Sequence, residues 1–374
     1  MPSYSVLIPA YNEGELIPEA LRSCANQTIK PERVIILDDL STATDYHAII
    51  SEVYPSAEII RAEKRQGKAY NITKYVNVVS SDYVLVLDAD SYISPDYVEK
   101  LLKKHPFDVA FGTIMPDEIS GGAVYGRQRL IEYILGQSIW KRAFNLIGSS
   151  NITGCFAIYR TSLLKTIGFP STTVTEDLDL SWTVLEQDGK IVYAPEALGY
   201  TREPRTFKEY STQVKRWYKG FWQCVKTHGA SNVGKNNSLT LSLNFVFLDQ
   251  LLLAPIWLAF LIGSFLLGLS SIPVLAPSFR QLLSIGFFSW FTAAWYRWFP
   301  FAVSYILALA SITFDVCVIT FLTLSSARAN RKTKLAMSAL PFYFFLSWYN
   351  RFVFWMSGLK TAVTRMPTKK ETIW

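Results

Sequence analysis

Asp88 and Asp90 stand one residue apart at the end of YVLVLDAD (residues 83–90), an apolar run of strand-forming residues. Two like charges so close repel each other unless water or a cation compensates them. A solvated turn would do this, and so would a divalent cation. A second carboxylate pair, Asp38 and Asp39, ends RVIILDD in the same way. Four carboxylates delivered by two strand ends exceed what a turn requires. An anionic substrate could lie among them only if something reversed the local charge. Mg2+ or Mn2+ does so, with carboxylate oxygens on one side and phosphate oxygens on the other. The chemistry indicated is capture of a diphosphate through a metal held at the D-x-D.

Such residues need a scaffold. Four short apolar runs, YSVLIPA, RVIILDD, AEIIRAE and YVLVLDAD, alternate with ELIPEALRSCANQ, DYHAIISEVY and KAYNITKYVNVV, whose apolar spacing is helical. That alternation predicts an α/β domain with a parallel sheet covered on both faces. SPDYVEKLLKKH reads as a further helix with Ser94 as N-cap, Pro95 in the first turn and lysines at its end. In open α/β sheets ligands bind beyond the carboxyl ends of the strands. All four carboxylates fall there.

The composition divides the chain. Half of its 374 residues are hydrophobic and only 18% are charged, with 11 Trp, 20 Tyr and 24 Phe. Residues 1–235 mix charged and apolar positions, whereas from about Asn244 onward long runs rich in Phe, Leu and Trp take over. The net charge of +7 is not gathered into a basic run with interleaved aromatics, so nucleic acid is not the expected partner. Cys24, Cys155, Cys224 and Cys317 form no C-x-x-C, and neither a disulfide framework nor a zinc site is indicated. No signal peptide is expected ahead of SVLIPAYNE.

Six landmarks in order carry a resemblance: IPAYNE (Ile8–Glu13), LDDLST (Leu37–Thr42), RQGKAYN (Arg65–Asn71), DAD (Asp88–Asp90), TEDLDLSW (Thr175–Trp182) and QVKRW (Gln213–Trp217). With them the sequence resembles the membrane-embedded family-2 glycosyltransferases, the branch of cellulose, chitin, hyaluronan and poly-N-acetylglucosamine synthases. The resemblance implies a Rossmann-like GT-A catalytic domain followed by a C-terminal α-helical transmembrane and interfacial region. It implies that Pro9, Tyr11, Glu13, Asp38, Asp39, Lys68, Asp88, Asp90 and Arg216 bind the nucleotide-sugar, with Asp39 on the uracil and Arg216 near the diphosphate. Asp90 would be the ligand of Mg2+ or Mn2+. Asp177 would be the general base, and Glu176, Gln213 and Trp217 would hold the acceptor. The chemistry agrees: a base takes the acceptor hydroxyl's proton, while metal and Arg stabilise the departing diphosphate. Single displacement inverts the anomeric centre. An indole suits the apolar face of a sugar ring. Taken singly, Trp217 could be a packing residue, Arg216 could face lipid, and Asp177 could cap a helix starting at Leu178. One departure is plain: the family's D-D-G-S reads DDLS, with Leu40 in place of glycine.

The expected organisation is a catalytic domain over 1–206, an interfacial amphipathic region over 207–243, membrane and interface helices over 244–359, and a basic tail over 360–374. Leu251–Leu269 has no charge and is long enough to span a bilayer, as is Phe299–Leu324, which carries Asp315. Leu282–Trp298 is shorter and aromatic, and Leu335–Leu359 is interrupted by Pro341, Asn350 and Arg351. Basic clusters at Arg328–Lys334 and Lys360–Lys370 favour two spans, with Leu335–Leu359 in the interface or re-entrant, over four spans, which would put the first cluster outside. The catalytic domain then faces the cytoplasm. The expected partners are a UDP-sugar, a glycan or lipid-linked acceptor and the bilayer, with room for a homo-oligomer or an accessory membrane subunit. Two rivals stand beside polysaccharide synthesis: transfer of one sugar to a membrane-surface acceptor, and a membrane-anchored nucleotide-sugar-binding subunit without activity.

Overall fold

Strand β1 (Tyr4–Ala10) is buried along almost its whole length, as a strand covered on both faces must be. The structure, a computed structural model, describes residues 1–117, 123–146, 154–232 and 333–364, with a few single positions between 240 and 321. Strands β2 (Val34–Asp38), β3 (Glu58–Arg61) and β4 (Tyr83–Leu87) lie parallel to β1 in the order β3-β2-β1-β4. Helices α1 (Ile17–Ala25), α2 (Tyr46–Val53) and α3 (Lys68–Tyr75) link them. Val6, Ile8, Ile36, Leu85 and Leu87 are all but inaccessible to solvent and form one core with α1. Each such side chain contributes about 1.5–3 kcal/mol of burial. Because β1, β2 and β4 run the same way, their carboxyl ends share one edge.

Beyond β4 the sheet departs from the all-parallel expectation. Strand β7 (Phe156–Arg160) pairs antiparallel with β4, and β6 (Val109–Pro116), β8 (Ile191–Thr201) and β5 (Ser91–Ile93) complete the order β4-β7-β6-β8-β5. The result is a mixed sheet of eight strands. Strand β8 follows β6 in parallel with a register shift between Gly112 and Thr113. Pro195 and Gly199 break the period-two pattern there, which hid the strand. Helix α4 (Tyr97–Leu102) begins later than SPDYVEKLLKKH suggested. Asp96 holds the N-cap position, and the Ser94 hydroxyl donates to Asp96 Oδ1 at 3.0 Å rather than capping the helix.

Helix α5 (Val124–Leu135) runs into a π-helical turn over Gly136–Lys141 and then α6 (Arg142–Leu146). After α7 (Thr161–Ile167), helix α8 (Glu176–Glu186) starts inside the T-E-D landmark. The long helix α9 (Phe207–Asn232) carries Q-x-x-R-W, and α10 (Thr333–Val363) packs along it. Tyr210 and Val214 of α9 are buried against Leu346 and Val353 of α10. Trp222 Nε1 donates to the Phe354 carbonyl at 2.9 Å, and the two rings lie 5.0 Å apart. All these elements belong to one compact unit, Met1–Ser242 with Ser326–Trp374.

A buried histidine ties α8 to α9. His228 Nε2 is 2.8 Å from Asp179 Oδ1, and its Nδ1 is 2.9 Å from Glu186 Oε2. Asp179 also accepts from the Thr173 hydroxyl at 2.9 Å. Burial lowers the histidine's pKa, but the hydrogen bonds to Asp179 and Glu186 outweigh it and hold the value above the usual range. A raised folded-state pKa means a contribution complete below the unfolded value of about 6.5 and lost as pH rises through the folded one. His228→Leu should therefore lower the melting temperature. The gap to wild type should narrow as pH rises from below about 6.5 through the raised folded-state value. A gap independent of pH, read by thermal melts across that range, would show that His228 acts by packing alone.

Leu251–Leu269, Leu282–Trp298 and Phe299–Leu324 lie outside the described residues, apart from single positions. Among the described residues no helix is long and apolar enough to cross a membrane. The Leu335–Leu359 run falls within α10.

Candidate functional site

Three strand ends and one loop build a pocket at the carboxyl edge. β1 supplies Pro9, and the residues after it supply Tyr11 and Glu13; Asp39 follows β2; Lys68 and Asn71 open α3; Asp88 and Asp90 follow β4. Asp39 is buried, and its carboxylate shapes the loop before α3. Oδ1 accepts from the Gln66 backbone N–H and from Asn71 Nδ2, each at 2.8 Å, while Oδ2 accepts from the Gly67 N–H at 2.9 Å. The Arg65 guanidinium lies 3.8 Å from the centre of the Tyr11 ring, so an aromatic face backed by a cation closes one side.

Asp38 does not join this pocket. Successive strand residues point to opposite faces, and the Asp38 carboxylate meets Arg61 Nη1 at 2.9 Å and the Ser41 N–H at 2.8 Å. Between these two contacts Leu40 sits at φ 66°, in the left-handed region. The turn thus keeps the backbone shape a glycine would adopt freely, with strain that Asp38 and Arg61 hold in place.

Lys68 is the hinge of the site. Its Nζ lies 2.6 Å from Asp88 Oδ1 and 3.2 Å from Glu176 Oε1, and it donates to the Gly154 carbonyl at 3.2 Å. It thereby joins the D-x-D of β4 to the T-E-D of α8. Burial works against its charge, but Asp88 and Glu176 overcome this and hold its pKa well above the lysine range. Asp88 is pushed up to about 6 by burial and by Asp90, against the pull of Lys68. Asp90 is exposed at the pocket mouth yet surrounded by protein mass. That desolvation, with the Glu13 carboxylate, raises its pKa although the Ser91 hydroxyl donates to it at 3.1 Å. Glu13 is raised in turn by burial and Asp88. The three acids therefore crowd one another with a single lysine among them.

A second cavity, of about 500 Å3, shares Lys68, Asp88 and Asp90 with the first and continues toward α9. Its walls include Glu176, Asp177, Gln213, Arg216 and Trp217, so the structure brings T-E-D and Q-x-x-R-W together at one place. Asp177 lies in the first turn of α8 rather than capping it; Thr175 occupies the N-cap position. Burial and Glu176 push its pKa up to about 6, with Lys68 and Arg216 pulling the other way. Gly154 permits this placement, since a Cβ there would lie 2.7 Å from Asp177 Oδ2. Gly220 does the same for the helices: a Cβ would meet the Thr175 side chain at 2.2 Å.

Trp217 is half-buried and does not pack in the core. One face of its ring is covered by the Arg129 guanidinium at 4.3 Å, and the residue lines the cavity. Arg129 is itself buried, and its Nη2 donates to Gln213 Oε1 at 2.7 Å. Arg129, Glu132, Tyr133, Lys141 and Glu203 were not singled out from the sequence, because helix α5 and the end of β8 carry no motif. Of these, Glu203 is pushed up to about 8 by burial against the pull of Arg129, and Lys141 down to about 8 by burial against Asp177.

The geometry agrees with what the chain is similar to. A poly-beta-1,6-N-acetyl-D-glucosamine synthase of Staphylococcus epidermidis is 30% identical over 238 residues, covering 60% of this chain and 57% of that protein. A synthase of the same name from Staphylococcus aureus is 26% identical over 220 residues, 57% of this chain and 53% of the relative. The chain thus spans little more than half the length of the curated relatives it matches. Among solved structures, the mannosyltransferase PcManGT of Pyrobaculum calidifontis, in complex with GDP-Man and Mn2+, superposes with a TM-score of 0.52 at 18% identity. The superposition covers 88% of this chain and 87% of that one. This likeness concerns the fold, an α/β arrangement of the GT-A type. The family model for glycosyl transferase family 2 matches residues 5–168, from β1 through the D-x-D to α7. Over residues 5–168 the chain is therefore similar to family 2 glycosyltransferases.

Proposed function

We propose that the protein is an inverting, metal-dependent glycosyltransferase that moves a sugar from a UDP-sugar to a glycan hydroxyl at a membrane surface. The observation that carries this is Lys68, which joins two contiguous cavities by pairing with Asp88 on one side and Glu176 on the other. The pocket of Pro9, Tyr11, Glu13 and Asp39 would take the nucleotide. Asp39 uses three hydrogen bonds for its loop, and a carboxylate offers about four acceptor positions. One remains for an N–H of the base.

A divalent cation fits the donor set. Asp90 offers hard oxygens at the mouth, and Asp88 and Glu13 add negative charge that Lys68 alone does not balance. Among the described residues no three such groups converge to enclose an ion. That suits Mg2+ or Mn2+ held by one or two carboxylates together with substrate phosphates. When bound, the ion neutralises charge on the departing diphosphate. Arg216 and Lys68 would add positive charge beside it. Asp177 would take the proton from the acceptor hydroxyl as that oxygen attacks the anomeric carbon, and the C–O bond to UDP breaks on the opposite face. The outer face of the Trp217 indole would seat the acceptor ring.

The names of the staphylococcal relatives make N-acetylglucosamine the first donor sugar to test. The membrane reading is supported by α10. Phe342, Phe345, Phe352, Met356, Leu359 and Val363 are all exposed and recur at steps of three, four and seven residues, an apolar stripe on one helix face. The charge-free run Leu251–Leu269 would bring a bilayer within reach. On this reading the catalytic unit faces the cytoplasm.

Purified full-length protein in nanodiscs, incubated with a panel of UDP-sugars and Mn2+, should release UDP with one donor far above the rest. Mass analysis should then show a ladder of products with UDP-N-acetylglucosamine. A single added sugar would replace polymer synthesis with transfer to a surface acceptor. Nucleotide-sugar binding without transfer, for every donor and acceptor, would leave a binding subunit.

A further inference from the structure

Asn350 interrupts an apolar helix, and its side chain is turned toward the catalytic unit. The Asn350 amide donates to Glu132 Oε1 at 3.0 Å and to the Tyr210 hydroxyl oxygen at 2.9 Å. The Tyr210 hydroxyl also meets Glu132 Oε1, at 2.8 Å, and Gln128 Nε2 donates to the same oxygen at 3.2 Å. The other oxygen of Glu132 pairs with Arg129. Arg129 lies between two rings, 4.4 Å from the centre of Tyr210 and 4.3 Å from that of Trp217, and bonds Gln213. One continuous chain of contacts therefore runs from α10 through α5 to the Q-x-x-R-W of α9.

A buried guanidinium keeps one orientation only while its carboxylate partners keep theirs, and Arg129 has two, Glu132 and, 3.7 Å from its Nε, Glu203. Glu132 Oε1 is fixed by donors from three directions, and Asn350 is the donor that α10 provides. A recognition group also has to be held to within about 0.5 Å to be effective. We propose that Asn350 is a positioning residue for acceptor recognition: through Glu132 and Arg129 it fixes the Trp217 indole and the Gln213 amide. Helix α10 is then a working part of the acceptor site although none of its described residues lines the cavity. This rests on the reading of Trp217 as the acceptor platform.

The test is a double-mutant cycle on the full-length protein in nanodiscs. UDP-N-acetylglucosamine is the donor, an N-acetylglucosamine oligosaccharide the acceptor, and UDP affinity is measured by calorimetry. Asn350→Ala should raise the acceptor KM by about five-fold or more, with UDP affinity unchanged. The double variant with Trp217→Ala should lose clearly less than the product of the two single losses, since Trp217 is shared and only the route through Gln213 remains. Asn350→Asp keeps the shape and sets a second carboxylate against Glu132. Its acceptor KM should rise with pH while the wild type's stays flat. Independent, multiplying losses in the double variant would overturn the proposal, as would an Asn350→Asp protein with wild-type acceptor KM. Trp217→Ala with an unchanged acceptor KM would instead remove the platform itself, and the proposal with it.

Discussion

Asp177→Asn should bind UDP-sugar as tightly as wild type and transfer it about 10²-fold more slowly, or worse. The substitution keeps the side-chain size in a place where Gly154 leaves no spare room, so the fold should hold. What disappears is the acceptor of the proton. With its pKa at about 6, Asp177 is ionised at neutral pH and still a stronger base than an ordinary aspartate. The sign follows directly. Below that value the carboxyl is protonated and idle, so kcat/KM should rise with pH through about 6 and level off. The limb should be weaker in the residual activity of Asp177→Asn, with only the share of Asp88, also at about 6, left. Two neighbours could contest the role, and the structure separates them. Asp179 is committed to Thr173 and His228, while Glu176 faces Lys68 at 3.2 Å. Near-normal turnover in Asp177→Asn would pass the role to Glu176, and Glu176→Gln would then be the variant that stalls.

The sheet edge was legible because its signals are local. Val, Ile and Leu run unbroken through β1, β2 and β4, and the acids follow where the runs stop. Local signals also misled at one point. Asp38 and Asp39 look equivalent as adjacent acids, yet strand alternation sends one to Arg61 and the other to the pocket. Leu40 read as a departure from a glycine turn, whereas the backbone keeps that turn's geometry. The antiparallel half of the sheet was not legible, since β5 is three residues long and Pro195 and Gly199 interrupt the alternating pattern of β8. Arg129 and Asn350 escaped for another reason. Their meaning lies in partners far along the chain: Gln213 is 84 residues from Arg129, and Glu132 is 218 from Asn350. A single sequence carries no trace of such pairings. Asn350 was visible only as a blemish in an apolar run.

Chelation should abolish transfer, and Mg2+ or Mn2+ added back should restore it. Asp90→Asn should weaken metal-dependent UDP binding and lower turnover by about 10²-fold. The reasoning compares the two acids of the D-x-D. Asp88 already has a cation at 2.6 Å, in Lys68, and that pair helps join β4 to α8. Asp90 accepts from the Ser91 hydroxyl at 3.1 Å, has no ion-pair partner within 4 Å among the described residues, and stands at the open mouth. Asp90 is thus the carboxylate with capacity left for an ion, and Asp88 the one that holds the frame. Asp90→Asn should accordingly melt at or above the wild-type temperature, because it removes charge from a crowded group of acids. Asp88→Asn should melt lower, because it takes the nearer of two carboxylates from a buried lysine and leaves Glu176 to pair it. Calorimetry with UDP, with and without Mn2+, reads the first distinction, and thermal melts read the second. Equal metal-dependent UDP affinity in wild type and Asp90→Asn would move the ion to Asp88 or Glu13. Full turnover in excess chelator would leave Lys68 and Arg216 to carry the diphosphate charge without an ion.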